Sequence, residues 1–169
     1  MSTLQVNVAV SINGALVETG GLGVADHSIN FSPSNLFTNG VGANQANQVF
    51  SSSRNLAASA TENLDLSGAM ANALGVVVVL IKVKALLIRA RATNTNDVVV
   101  GAAATNGFWA GMFGTATDSI RIHPGGMFLI TAPDVNGIPV TASTADLLKV
   151  TNGSAGTAID YDIVVIGVA

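Results

Sequence analysis

The chain has 169 residues, of which 49% are apolar and 10% charged, with a formal net charge of −3 and no cysteine. The lack of cysteine excludes disulfide bonds, thiol nucleophiles and cysteine metal sites. Seven basic residues against ten acidic ones disfavour nucleic-acid binding, which depends on Lys and Arg neutralising phosphates. Soluble domains carry about 25% charged residues. Ser, Thr, Asn and Gly must therefore cover much of this surface, and we expect copies of the chain or a partner shell to cover it in turn.

No segment is expected to act as a leader or a membrane anchor. The first residues lack a basic region followed by an apolar run, so they do not resemble a signal peptide. The most apolar stretch, residues 76–88, is shorter than the roughly 20 residues of a spanning helix, and two lysines interrupt it. The prediction is a soluble protein made in a cytoplasm, without a membrane partner.

The N-terminal quarter is predicted to be an extended arm. Residues 4–12 alternate apolar and polar side chains, which indicates a half-buried strand ending at Asn13-Gly14. Residues 15–18 are predicted to return as a second hairpin strand. Residues 26–46 are rich in Asn, Ser and Gly and indicate a loop with one short strand at 28–31. We predict that residues 1–45 form a strand or arm and loop region that reaches a neighbouring subunit. Residues 46–169 are predicted to form the β-sandwich domain, and the two regions to form one globular unit overall.

The middle of the chain carries the strongest strand signal. Strands are predicted at 49–57 and 59–66, followed at 67–74 by a helix that Ser67 begins and Gly75 ends. Residues 76–80 are apolar at every position, which indicates a strand covered on both faces, and the strand continues to residue 91. Its basic residues change from even to odd positions, so a bulge or a strand break is predicted near residues 85–87.

Short strands separated by turns continue to the end of the chain. They are predicted at 98–100, 108–113, 119–123, 127–132, 147–151 and 160–167. Strands spaced by about 8–12 residues indicate a sandwich or barrel, and about eight in one domain fit a jelly roll. The predicted fold is all-β, a jelly-roll-like antiparallel β sandwich or barrel with an extended N-terminal segment.

The residues that could carry chemistry form no recognisable catalytic or metal-binding pattern. His27 and His123 lack neighbouring ligands at a metal-binding spacing, and the turn at residues 152–156 lacks the first glycine of a nucleophile elbow. Asp160 and Asp162 share one strand face and would need a third ligand to bind a cation, so a solvated face is the preferred interpretation. We predict no enzyme activity, no catalytic residues, no metal and no cofactor.

Five residues are candidates for an interface. Lys82, Lys84, Arg89 and Arg91 hold four of the seven basic residues within ten positions. They form either a solvated strand face that blocks edge-to-edge pairing or a docking surface for an acidic partner. Phe108 and Trp109 are neighbours on a predicted strand and so point to opposite faces. An exposed Trp109 would be an interface anchor or a platform for stacking sugars.

Four segments, residues 52–68, 81–88, 123–134 and 158–167, resemble segments of small tailed-phage and prophage virion proteins. They include the turn His123-Pro124-Gly125-Gly126. The resemblance implies a β-sandwich head decoration or cement protein, homo-oligomeric and often trimeric, that binds the major capsid protein. It implies a location on the virion capsid after synthesis in the host bacterial cytoplasm, and it supplies no catalytic residues. The alternative is a tail or fibre-associated module that binds host-surface glycans.

Overall fold

A computed structural model describes residues 3–21, 23–68, 70–108 and 112–169. The regular structure of these residues consists of sixteen β-strands. They are β1 (Gln5–Ala9), β2 (Ile12–Gly20), β3 (Gly23–Phe31), β4 (Ser34–Asn39), β5 (Gln45–Ala46), β6 (Gln48–Leu56), β7 (Thr61–Asp65), β8 (Met70–Ala71), β9 (Val77–Val78), β10 (Lys82–Ala90), β11 (Val98–Gly101), β12 (Ser119–Ile122), β13 (Met127–Thr131), β14 (Ile138–Pro139), β15 (Leu147–Asn152) and β16 (Ile159–Val168).

Eight of these strands, together with the two-residue strand β14, form a β sandwich. Sheet I has the order β13-β10-β16-β6, with β14 also paired to β10, and sheet II has the order β12-β11-β15-β7. All of these pairings are antiparallel. If the eight strands are renumbered along the chain, sheet I has the order 6-3-8-1 and sheet II the order 5-4-7-2. The predicted all-β sandwich is confirmed, and this order is consistent with the jelly-roll-like arrangement predicted with it.

The main core lies between the two sheets and follows from the two-residue period of the strands. On β16, Ile159, Tyr161, Ile163 and Val165 are buried and point to the same side. They belong to one apolar cluster with residues of sheet II such as Val100. Successive strand side chains point to opposite faces, so the residues between them on β16 point away from this core.

A third layer covers part of the other face of sheet I. Sheet III consists of β4 flanked by β1 and β5. Its buried Phe37 packs in a second apolar cluster with Ala85 and Ile166 of sheet I, and Val6 and Val8 of β1 lie against the same cluster. Sheet III is therefore held on the sandwich by apolar contacts.

The N-terminal prediction was wrong about where the hairpin lies. The predicted strand over residues 4–12 ends at Ala9, and β2 begins at Ile12. The hairpin ladder closes at Gly20 and Gly23 instead of at Asn13-Gly14. Gly14 is tolerated inside the strand because a Cβ there would meet nothing within 4 Å. The segment predicted to be mainly loop, residues 26–46, contains most of β3 and all of β4 and β5.

The predicted helix at residues 67–74 is also wrong. The backbone N–H and Oγ–H of Ser67 both donate to Asp65 Oδ1 at 2.8 Å, and the side chain of Asn72 accepts from the backbone N–H groups of Leu74 and Val76. Such local side-chain bonds compete with the helix ladder. The chain instead forms turns around the short strand β8.

The strand predicted over residues 76–91 is divided, and its first part, residues 76–80, is not covered on both faces. The two-residue strand β9 is followed by a separate strand, β10. Val77 and Val79 are exposed, while Val78 and Leu80 are buried. A register shift lies between Val83 and Ala85, just before the predicted position at 85–87. Of the strand predicted at 108–113, residues 109–111 lie outside the described residues.

Candidate interaction surfaces

The basic residues of β10 do not form one surface, because Lys84 is fully buried. Lys84 lies at the register shift between Val83 and Ala85. Its Nζ donates to the backbone carbonyl of Asp134, and burial lowers the pKa of this ammonium group. Lys82 Nζ donates to the carbonyl of Val135 at 3.0 Å. Both lysines therefore hold the loop between β13 and β14.

Arg89 and Arg91 remain exposed at the other end of β10. Arg91 Nη2 lies 2.6 Å from Asp162 Oδ1, and the Ser53 hydroxyl also donates to that oxygen at 2.6 Å. The bond to Ser53 and then the bond to Arg91 lower the pKa of Asp162. Arg89 lies between Asp162 and Met127 in the strand register and makes no ion pair with another described residue. Of the predicted basic cluster, Arg89 is thus the residue placed to meet an acidic partner.

The remaining sequence candidates are placed as follows. Trp109 lies outside the described residues, so its role stays a prediction, while its neighbour Phe108 is buried. Asp160 and Asp162 share one face of β16 as predicted, and Asp160 accepts from Asn55 at 2.9 Å. His123 Nδ1 lies 2.8 Å from Asp97 Oδ1 at an exposed position. Within the described ranges, no group of three or more His, Asp or Glu side chains is placed to hold a metal ion.

The most exposed element of the molecule is the hairpin of β2 and β3, residues 12–31, which we call the arm. Every described residue of both strands is exposed, and the two strands pair with each other and with no other described strand. At its root, Val10 N–H donates to the carbonyl of Pro33 at 3.0 Å and the hydroxyls of Ser11 and Ser32 lie 3.3 Å apart. The arm therefore leaves the body as a single two-stranded ribbon.

The arm has one apolar face. The register pairs Ile12 with Phe31, and Leu16 with His27, so these side chains share a face with Ile29. The four apolar members are exposed to the extent of 55% for Ile12, 73% for Leu16, 48% for Ile29 and 59% for Phe31. The opposite face carries Asn, Ser, Thr and Asp side chains and two valines. Antiparallel sheets commonly have one apolar face packed on a core and one polar face in solvent. In the arm, the apolar face is not covered by any core.

A second feature is an apolar groove of about 470 Å³ on the outer face of sheet I. Sheet III covers only part of this face, and the groove follows the boundary. One wall is residues 6–11, including Val6, Val8 and Val10. The rest of the lining comes from Ala85 and Leu87 of β10, Met127 and Leu129 of β13, and Val164 and Ile166 of β16.

A third feature is an exposed apolar strip on residues 74–81, which we call the strip. Five large apolar side chains are exposed here: Leu74 85%, Val76 55%, Val77 53%, Val79 44% and Ile81 51%. Sequence analysis predicted that residues 76–80 are covered on both faces, but the described part of the chain leaves one side of this segment open.

Comparison of the chain with protein-family models, curated protein sequences and solved structures found no match. The described residues contain no helix long and apolar enough to cross a membrane. The functional argument therefore rests on the arm, the groove and the strip. Sequence analysis predicted an N-terminal arm but placed its hairpin too early in the chain; the signal of the observed hairpin was the apolar alternation at Ile12 and Leu16 and at Ile29 and Phe31.

Proposed function

We propose that this chain is a structural virion protein, a head decoration or cement protein of the tailed-phage type. In this proposal it associates with its own copies, as a trimer, and with the major capsid protein, and it has no catalytic activity. The single observation that supports it best is the arm. A two-stranded ribbon alone in water is marginally stable at best, so an exposed apolar ribbon is expected to function against a partner.

The free energy gained by covering the arm can be compared with the cost of association. Full burial of a large apolar side chain contributes about 1.5–3 kcal/mol, and the four on the apolar face are about half exposed. Covering them therefore contributes roughly 3–6 kcal/mol. Association costs about 4–15 kcal/mol in lost translational and rotational freedom. One arm alone offsets at most the lower end of that cost, so we infer exchange of several arms or an added contact such as the strip.

A decoration protein makes use of such surfaces. A protein that binds only the assembled shell stabilises the shell by mass action, and it needs separate surfaces for its own copies and for the shell. The arm provides a surface for a second copy, and the strip is a candidate contact with the shell. The virion location itself rests on the resemblance of residues 52–68 and 123–134 to virion proteins.

Excision of the arm tests this proposal. Because the two root strands are adjacent at Ser11 and Ser32, residues 12–31 can be replaced by a short Gly-Ser linker without stretching the body. We expect the full chain to be an oligomer in light scattering and to bind empty capsids of the parent phage. The excised variant should be a folded monomer. A full chain that stays monomeric at micromolar concentration and does not bind those capsids would contradict the proposal.

A further inference from the structure

We propose that the groove binds the arm of a second copy of this chain, with the apolar face of the arm against the groove floor. This inference rests on the self-association proposed above and names the contact that produces it. The partner is another copy of the chain because both complementary surfaces, an apolar ribbon and an apolar groove, are present on one molecule.

The two surfaces agree in size. The wall formed by residues 6–11 is about 20 Å long at the rise of an extended strand, and the arm is about 30 Å long and about 10 Å wide. The four large side chains of the apolar face lie in the root half of the arm. Ile12 and Leu16 are four positions apart, which is about 13 Å of strand. The groove is therefore long enough for the apolar half of the arm.

The charges of the arm and of the groove are also compatible. The charged residues of the arm are Glu18 and Asp26, and it contains no Lys or Arg. No acidic residue lines the groove, and Arg89 lies beside its lining residue Met127 in the register. Asp162, the other register neighbour of Arg89, already binds Arg91 and Ser53. The register places Glu18 on the same face of the arm as Leu16, so Arg89 is free to meet Glu18 of a docked arm.

The arm is poorly placed to fill its own groove. Two residues, Val10 and Ser11, connect β1 to β2, and two residues connect β3 to β4. The bond from Val10 N–H to the Pro33 carbonyl holds the two connections together. A ribbon tied in this way has little length with which to fold back over β1, whereas the groove of a second copy can receive it directly.

The area supports reciprocal exchange. One face of the arm measures about 300 Å², so one docked arm buries about 600 Å² when both partners are counted. Two reciprocal contacts reach about 1,200 Å², the lower end of the range of stable interfaces. In a closed ring of three, each copy also donates one arm and accepts one, and contacts between the bodies must supply the remaining area.

Disulfide crosslinking tests the inference directly because the chain has no cysteine of its own. One preparation of the protein carries Leu16→Cys on the arm. A second preparation carries a cysteine in the groove, either Met127→Cys or Ser11→Cys. After mixing and mild oxidation, we expect a disulfide-linked dimer for Leu16→Cys with at least one of the two groove variants. Leu16 and Met127 are both well exposed, so these substitutions should leave the fold intact.

The matched control is Val17→Cys. Val17 is adjacent to Leu16, is 56% exposed and points to the opposite face, so we expect at least tenfold less crosslinked dimer. In a second measurement, Met127→Glu should raise the dissociation constant of the oligomer about tenfold or more. Val135→Glu, at an exposed apolar position of the loop between β13 and β14 that lies outside the arm, the groove and the strip, should leave it unchanged.

Three outcomes would overturn the inference. The first is equal crosslinking from Leu16 and Val17. The second is an oligomer that forms normally without any arm-to-groove crosslink, which would leave the proposed self-association standing with a different contact. The third is an intrachain disulfide, without an increase in mass, in a single chain carrying both Leu16→Cys and Met127→Cys. A purely monomeric wild-type chain would instead contradict the proposed function itself.

Discussion

Tyr161 connects the two sheets of the sandwich through one carboxylate. It is fully buried, and its hydroxyl donates to Glu62 Oε1 at 2.5 Å. Arg54, the register neighbour of Tyr161 on β6, donates from Nε to Glu62 Oε2 at 2.8 Å. Glu62 belongs to β7 of sheet II, so these bonds join it to β16 and β6 of sheet I. A hydrogen bond to a charged group contributes about 1.5–3 kcal/mol.

The single tyrosine of the chain gives a prediction about alkaline pH. Burial, and then the bond to Glu62, raise the pKa of Tyr161 well above its ordinary value. Above about pH 10 the unfolded phenol loses its proton while the folded one keeps it, so this contribution to stability falls as pH rises. We expect Tyr161→Phe to be less stable than the wild type by about 1–2 kcal/mol at pH 8. Between pH 8 and pH 11, the free energy of unfolding of this variant should fall less than that of the wild type.

Urea unfolding at the two pH values measures this difference, and absorbance near 295 nm follows phenolate formation. The phenolate of the wild type should appear only as the protein unfolds. If it appears near pH 10 in the folded protein, the hydroxyl is accessible to water and the assignment is wrong.

Lys84 shows how far a strand pattern can be read at the scale of one residue. The change of the basic residues from even to odd positions predicted a bulge or a strand break near residues 85–87, and the structure has a register shift between Val83 and Ala85. The pattern did not predict that Lys84 would be buried, because parity gives the relative faces of residues and not which face is covered. Its acceptor, the carbonyl of Asp134, lies fifty positions along the chain and leaves no local signal.

At the scale of elements, the approach of β16 to β10 depends on Gly167. A Cβ on this residue would overlap the backbone carbonyl oxygen of Lys82 and lie 2.9 Å from Leu80 Cδ2. Because a strand backbone cannot move aside as a flexible side chain can, we expect Gly167→Ala to lower the free energy of unfolding by about 1–3 kcal/mol. Urea denaturation of the monomer measures this difference in the free energy of unfolding.

Gly68→Ala is the matched control, since a Cβ there meets nothing within 4 Å. It should change the free energy of unfolding by less than about 0.5 kcal/mol, as for most surface substitutions. Equal effects of the two substitutions would mean that the close approach at Gly167 does not limit packing.

The elements that were predicted well are those whose side chains alternate between the core and another surface. The strands at 147–151 and 160–167 match β15 and β16 within a residue or two because burial fixes their period. The hairpin of the arm was placed wrongly because Asn13-Gly14 is a stronger local turn signal than the glycines at 20 and 23. An apolar face produces the same alternation whether its own body or a neighbour covers it.

At the scale of the whole molecule, the apolar surface is unevenly distributed. The core between sheets I and II is closed, while most of the large exposed apolar side chains lie on the arm and the strip. The Asn-, Ser- and Gly-rich composition predicted contacts with neighbours but not their position, because position depends on which strand faces the body leaves open. Sheet III leaves part of sheet I open, and that opening is the groove.

This distribution predicts that the arm and the body differ in how they respond to dilution. The amides of the arm bond only within a two-stranded ribbon, which opens easily when nothing covers it. Those of β10 and β16 lie in the middle of sheet I and should exchange slowly in every state. Hydrogen exchange followed by mass spectrometry should therefore show arm amides that are protected in the concentrated oligomer and exchange at least tenfold faster after dilution to monomers. The Met127→Glu variant should show fast exchange in the arm at both concentrations, and equal protection of the wild-type arm at both would mean that the ribbon needs no partner.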